Sequence, residues 1–236
     1  EGEGLVVENA GLTEWPVPLV GRFDPDFLDV PREVIVLTMR TNQKYFACTD
    51  AAGMLAPAFV CVANIDATDG GEATREGIRR VLAARLADAR FFWEQDLKVP
   101  LEERLPELER SIFFEGLGTY REKAERMAEL AAHIAKNYMT GVDPQLAGRA
   151  AELAKADLVS GTVGEFPELQ GVIGGYLARH LTKDQAEAIG SQYGDDPHSR
   201  MAQIVGLADR IDTLVAFFAR NQRPTGSKDP FALRRA

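Results

Sequence analysis

Beyond Pro100 the sequence keeps to one pattern: apolar residues every three or four positions, broken by Gly, Pro or Asp. The segments LEERLPELERSIFFE, GTYREKAERMAELAAHIAKNYM, PQLAGRAAELAKADLVSGTV, FPELQGVIGGYLARHL, KDQAEAIGSQY and SRMAQIVGLADRIDTLVAFFARN all carry it. That spacing puts the apolar side chains on one face of a helix, and the breakers set the helix ends. Six such segments in succession predict an all-α domain over residues 111–222.

Residues 1–110 read differently, as an α+β piece, so the chain as a whole is expected to be mainly helical. LTEWPVPLVG holds two prolines in an apolar run, which suits an edge or irregular strand. VPREVIVLTMRTN starts with Pro31 at a helix-start position and offers Val34, Ile35, Leu37 and Met39 for burial. QKYFACTDAAGMLAPAFVCVANI predicts a hairpin, with strands over 44–49 and 58–65 and a turn around Asp50–Gly53. The unbroken apolar run Phe59–Ala63 predicts a strand buried on both faces. A helix should follow from Thr74 to Gln95, with Ile78, Leu82, Leu86, Ala89 and Phe92-Trp93 as its apolar face.

At 236 residues the chain can bury one large core or two small ones. No apolar run approaches the roughly 20 residues of a membrane span. The opening EGEGLVVENA is not signal-like, and Cys48 and Cys61 fit reduced core residues, which together suggest a cytoplasmic protein. A net charge of −9 disfavours a surface that binds nucleic acid all over. Two stretches are nevertheless locally cationic. Arg75–Arg90 holds five arginines (Arg75, Arg79, Arg80, Arg85, Arg90) against Glu76 and Asp88. From Arg220 to the end, Arg220, Arg223, Lys228, Arg234 and Arg235 face Asp229 alone. Each could hold phosphates, or could be a solvated helix face and a polar linker.

His133, Asp157, His180 and Asp209 fall on successive helical segments, a scatter that resembles the ligand set of the metal-dependent HD-type phosphohydrolases. The His-Asp doublet of that pattern is Ala156-Asp157 here, and Lys155 brings a positive charge beside it. Asp157 and Asp209 then read as degenerate positions, more suited to hydrogen bonds between packed helices than to a metal. In GEFPELQGVIGGYLAR, Pro167 fits a helix first turn, and Gly171, Gly174 and Gly175 invite close helix packing. With no preceding strand and no following Lys-Ser/Thr, they are not a phosphate loop. RTNQKYF combines Arg40, Gln43, Lys44 and Tyr45, a mixture found both at RNA contacts and in ordinary helix capping, with Asn42 as the expected left-handed terminator.

VPREVIVLTMRTNQKYF, RLADARFFWEQDLKVPLEERLPELERSIFFEGLGTYREKAERM, KADLVSGTVGEFPELQGVIGGYLAR and GSKDPFALRRA, in this order, resemble the β subunit of the tetrameric bacterial glycyl-tRNA synthetase. The resemblance implies an internal fragment of a longer subunit, consistent with Glu1 rather than Met at the start. It implies that residues 1–110 are similar to the editing module of the phenylalanyl-tRNA synthetase β subunit, and that 111–222 form a degenerate HD-type domain. It further implies no catalytic residue and no cofactor in this piece, since ATP and Mg²⁺ are used through the α subunit. Expected partners are tRNA-Gly, the α subunit and the remainder of β. Arg40, Lys44, Arg75, Arg79, Arg80, Arg220, Arg223 and Lys228 are the candidate RNA contacts on charge alone. An HD-type phosphohydrolase using Asp157, Asp209 and one or both of His133 and His180 is the competing reading. Residues 223–236 are expected to be a linker and the start of a further helix, with Asp229 as N-cap and Pro230 at the first position. Phe231 and Leu233 would there be left disordered or docked opportunistically.

Overall fold

A computed structural model describes residues 2–194, 197–225 and 228–234, with Asn42 described by its backbone alone. The chain forms two compact units, residues 1–95 and 96–236.

The first unit begins with helix α1 (Gly2–Leu12) and strand β1 (Val17–Arg22). A 3₁₀ turn capped by Asp24 leads to α2 (Arg32–Gln43). Strands β2 (Phe46–Thr49) and β3 (Leu55–Ala63) form the expected hairpin, and β1 adds antiparallel to β3. The strand order β1-β3-β2 leaves β1 at an edge, where Pro18 lacks no ladder partner it needs. Val34, Ile35, Leu37 and Met39 of α2 are buried as their spacing predicts. Helix α3 (Glu72–Asp96) then runs 25 residues, with Leu82, Leu86, Ala89 and Trp93 buried, while Ile78 and Phe92 of the expected face stay partly exposed.

Two expectations fail here. The apolar run of β3 is not covered on both faces: Phe59 and Cys61 are buried, whereas Val60 and Val62, which alternate with them, stay partly exposed. Alternation wins because an antiparallel strand in a three-stranded sheet presents successive side chains to opposite faces. The α2 helix also passes through Asn42 to Gln43, and Lys44 takes the left-handed conformation (φ 58°) instead.

Among its described residues the second unit is helical apart from one small hairpin. Helix α4 (Leu101–Arg104) runs into a 3₁₀ segment, Leu105–Arg110, and then β4 (Ile112–Phe114) pairs with β5 (Gly118–Thr119). Residues 101–115 therefore do not form the single helix that the spacing predicts. Pro106 interrupts it, and Ile112-Phe113-Phe114 prefer a strand that turns back through Gly116 at φ 76°. Helix α5 (Tyr120–Asn137) starts in a Thr119/Glu122 capping box. Asp143 caps α6 (Pro144–Leu153), with Pro144 in its first turn. Small buried residues, Ala124, Ala131 and Ala135 on one helix and Ala147, Ala150 and Ala151 on the other, let α5 and α6 pack closely.

After α6 the backbone turns in short pieces: a 3₁₀ segment Ala156–Val159, α7 (Gly161–Glu165), a 3₁₀ turn Pro167–Leu169, α8 (Val172–Leu177) and a 3₁₀ turn Ala178–His180. The segment predicted as one helix is thus split, because Gly171 sits at φ 81°, a conformation that ends any right-handed helix. Helix α9 (Lys183–Ser191) crosses α8 where Gly175 meets Gly190. A Cβ on Gly175 would lie 2.8 Å from the Gly190 Cα, so the expected close packing is present. Helix α10 (Arg200–Ala219), capped by Ser199, packs on α5, α6 and α9.

Among the described residues the tail does not start a helix. Asp229 accepts the amides of Leu233 (2.8 Å) and Arg234 (3.0 Å), but the chain makes only a turn, with Ala232 at φ 51°. Phe231 is docked against Phe114 and Phe217, and Leu233 is buried.

Candidate nucleic-acid interface and buried charge network

Exposed cations concentrate on the outer face of α3. Arg79 and Arg80 both reach Glu76, at 2.8 and 3.2 Å, so two guanidinium groups share one carboxylate. Glu76 is held well down, to about 2, chiefly by the Arg79 hydrogen bonds. Arg85 is exposed one to two turns further on and makes no ion pair among the described residues. Arg75 is paired with Glu72 at 2.9 Å and Arg90 with Glu94 at 2.7 Å. The face therefore carries a surplus of positive charge around Arg79, Arg80 and Arg85, and little of it elsewhere.

The other candidates are less open. Lys44 meets Glu8 at 2.6 Å, and with Arg40 it lines a cleft of about 300 Å³ against Gly4, Leu5 and Glu8 of α1. In the second unit Arg220 folds against Gly116, and the Arg223 guanidinium lies 5.7 Å from the centre of the Phe218 ring. Lys228 is exposed, its backbone bonded to Thr225. Arg235, also counted in the cationic tail, lies outside the described residues.

The histidines and aspartates of the phosphohydrolase pattern do not converge. Exposed His133 bonds to Asn137 and packs on Tyr138, while His180 pairs with Glu102 at 3.1 Å. Among the described residues no group of three His, Cys, Asp or Glu is placed to hold a metal ion.

Asp209 instead lies between two buried ammonium groups. Lys123 reaches its Oδ1 at 2.9 Å and Lys155 its Oδ2 at 2.7 Å; each lysine side chain is 2% exposed. Lys123 also donates to Asp212 (3.0 Å) and Thr213 (2.8 Å), and Lys155 to Gln192 (2.8 Å) and the Tyr193 hydroxyl (2.7 Å). Arg126 completes the charge on Asp212 at 2.6 Å. Burial pushes the Asp209 carboxyl up, but Lys155 and Lys123 outweigh it and hold the group below its usual range.

Asp157 has a different task. Its Oδ2 accepts the amides of Gly171 (2.5 Å) and Gly174 (3.0 Å) and so ties down the start of α8. Burial raises this carboxyl to about 6 against the pull of those two amides and the charge of Lys155. Both aspartates hold helices: Asp209 has a lysine on each oxygen, whereas Asp157 uses Oδ2 alone and keeps Oδ1 buried without a hydrogen-bond partner. Lys155 was visible in the sequence beside Ala156. Lys123 was missed, although it sits on the core stripe Lys123-Met127-Ala131-Ile134, where a charge demands a buried partner.

A further cleft, of about 410 Å³, opens between α8 and α9. Val172, Gly175, Ala186 and Gly190 form its walls, and Tyr176, Arg179, Lys183, Glu187 and Ser191 supply the polar groups. The sequence pattern marked Gly175 here, but neither Gly190 nor any of these polar residues.

These features describe a mainly helical chain with a basic helix face and a buried charge network, and comparison with known proteins places it among subunits of aminoacyl-tRNA synthetases. The family described as glycyl-tRNA synthetase beta subunit matches residues 1–236. The glycine–tRNA ligase beta subunit of Rhodospirillum centenum is 54% identical over 244 residues, covering 99% of this chain and 34% of that protein. That of Phenylobacterium zucineum is 52% identical, covering 100% of this chain and 37% of its own, and that of Magnetococcus marinus is 50% identical, covering 99% and 34%. The chain belongs to the glycyl-tRNA synthetase beta subunit family and spans about a third of the length of these relatives. No helix among the described residues is long and apolar enough to cross a membrane.

Proposed function

We propose that this chain is a tRNA-holding, non-catalytic region of glycine–tRNA ligase, acting in ATP-dependent glycylation of tRNA-Gly by guiding the acceptor end towards an α subunit. Family membership supplies the enzyme, and the charge surplus on α3 supports the role. Two exposed guanidinium groups on one carboxylate, with Arg85 beyond them, can exchange Glu76 and solvent ions for backbone phosphates. Such contacts position an RNA without reading its sequence, which suits a subunit that presents a substrate to another active site. In this reading the partners are tRNA-Gly, the α subunit and the remainder of a β subunit. Residues 1–110 correspond to an editing-like module, and 111–222 to an HD-type domain without hydrolase chemistry. ATP and Mg²⁺ act through the α subunit; Asp157 and Asp209, engaged by amides and lysines, do not fit a divalent ion.

Electrophoretic or anisotropy titration of tRNA-Gly over a salt series tests this. Affinity should fall steeply as salt rises, and Arg79→Glu/Arg80→Glu should weaken binding about tenfold or more and flatten the salt slope by about two. Binding that ignores both salt and the charge reversal would remove α3 as the RNA face.

A further inference from the structure

The cleft between α8 and α9 has a composition that the helix packing does not require. Its floor is kept open by Gly175, Ala186 and Gly190, whose crossing leaves no large side chain to fill the space above. On one wall the Arg179 guanidinium lies over the Tyr176 ring, its carbon 4.4 Å from the ring centre. On the other, Lys183 sits in the first turn of α9, where backbone amides add positive potential. Arg179 and Lys183 are both exposed, and neither makes an ion pair among the described residues. Their neighbours Arg149 and His180 are, by contrast, satisfied by Glu152 and Glu102. Glu187, also on the cleft, makes no ion pair among the described residues, and the Ser191 hydroxyl donates to the Glu187 carbonyl at 2.8 Å.

A planar cation already layered on an aromatic ring is a platform for a third planar group, and a nearby ammonium suits the phosphate that follows it. Glu187 offers an acceptor to the exocyclic amine of adenine or cytosine. A duplex cannot use this arrangement, because its bases are stacked on one another and their faces are hidden. We propose that the α8–α9 cleft binds an unpaired nucleotide of RNA: the base stacks on Arg179 over Tyr176, and Lys183 holds the adjacent phosphate. The proposal rests on the RNA-binding reading above and adds to it a second contact, specific for single strands, in the helical unit.

Fluorescence anisotropy with two RNA hairpins of the same stem, one blunt and one with a short single-stranded 3′ extension of A and C, separates the possibilities. The extended hairpin should bind the wild-type chain more tightly than the blunt one. Arg179→Glu/Lys183→Glu should cut affinity for the extended hairpin about tenfold and leave the blunt one nearly unchanged. Tyr176→Phe should retain the preference and Tyr176→Ala should lose it, with thermal melts of each variant confirming an intact fold. Equal losses on both probes, or no loss on either, would overturn the assignment. If Arg79→Glu/Arg80→Glu weakens both probes while Arg179→Glu/Lys183→Glu weakens neither, the cleft is excluded and the α3 interface stands. If the wild-type chain binds neither hairpin at low salt, the RNA-binding reading itself falls, and the cleft with it.

Discussion

Replacing Lys155 with methionine removes one charge from the centre of the helical unit while keeping most of its volume. The ammonium it removes makes three hydrogen bonds of 2.7–2.8 Å, to Asp209, Gln192 and Tyr193, and lies 4.2 Å from the centre of the Tyr193 ring. Removing one member of a buried ion pair costs about 3–5 kcal/mol, because the other charge is left without compensation. Here Asp209 keeps Lys123 at 2.9 Å, which lowers that cost. Gln192 Oε1 and the Tyr193 hydroxyl each lose an ammonium donor, and an unsatisfied buried group costs about 1–3 kcal/mol. The sum of a softened pair loss and two partly orphaned acceptors is about 3–4 kcal/mol. Urea unfolding followed by far-UV circular dichroism measures it, with the m-value checking that the same surface unfolds. The double variant Lys155→Met/Asp209→Leu removes the stranded carboxylate as well. Lys123 then still has Asp212 and Thr213, so the double change should cost less than the sum of the singles by about 1–3 kcal/mol. A loss below about 1 kcal/mol for Lys155→Met, or strict additivity in the cycle, would show that the ammonium is solvated and that the network is not what joins these helices.

Other outcomes follow from single sites. Asp157 has a folded-state value of about 6 against 3.8 for an ordinary aspartate, so the folded state binds its proton more tightly. Its contribution is therefore present at low pH and lost as pH rises through about 6, at a cost of about 3 kcal/mol. Thermal melts of Asp157→Asn should gain on wild type by up to that amount between pH 4 and 7, and a pH-independent difference would contradict the burial argument. Gly175→Val should destabilise by about 1–3 kcal/mol, since its side chain meets the Gly190 backbone, as a melting curve would report. Gly77→Ala, on the open face of α3 with nothing within 4 Å, should instead stabilise by about 0.5–1 kcal/mol; a loss there would mean that this face is covered.

The elements of this fold were readable where one period held without interruption. The α3 and α10 helices, the hairpin from Phe46 to Ala63 and the edge strand with Pro18 all lie where spacing and turn residues put them. Failures came where an apolar stretch satisfied two patterns at once. Ile112-Phe113-Phe114 continued a helical spacing, yet the two glycines behind them, at φ 76° and 86°, close a strand turn that a helix cannot make. Val60 and Val62 were apolar without being buried, because burial in a small sheet is decided by what covers it, which lies outside the strand's own sequence. Asp229-Pro230 offered a good helix start, but the Asp229 carboxylate closed a turn around Leu233 and Arg234, and Phe231 found Phe114 and Phe217. Long-range packing decided each of these.

The same distinction governs the charges. A count along the chain finds cationic stretches, but whether a cation can reach a ligand depends on the carboxylate that folding brings beside it. Arg75, Arg90 and Lys44 are each matched by one acid, so their positive charge is largely local. Arg79 and Arg80 share Glu76, and the surplus survives. Lys123 and Lys155 go furthest the other way: two cations drawn wholly inside, where they occupy both oxygens of the aspartate that a metal-based reading would need. Resemblance to the phosphohydrolase ligand pattern singled out Asp157 and Asp209, as degenerate positions of that set. The fold gives one to the amides of a short helix and the other to two lysines, and that division turns a hydrolase-like constellation into a structural one. The cations free to meet an anionic ligand are those that folding leaves unpaired, and by that measure Arg179 and Lys183, which the sequence did not single out, are stronger candidates than Lys44, which it did.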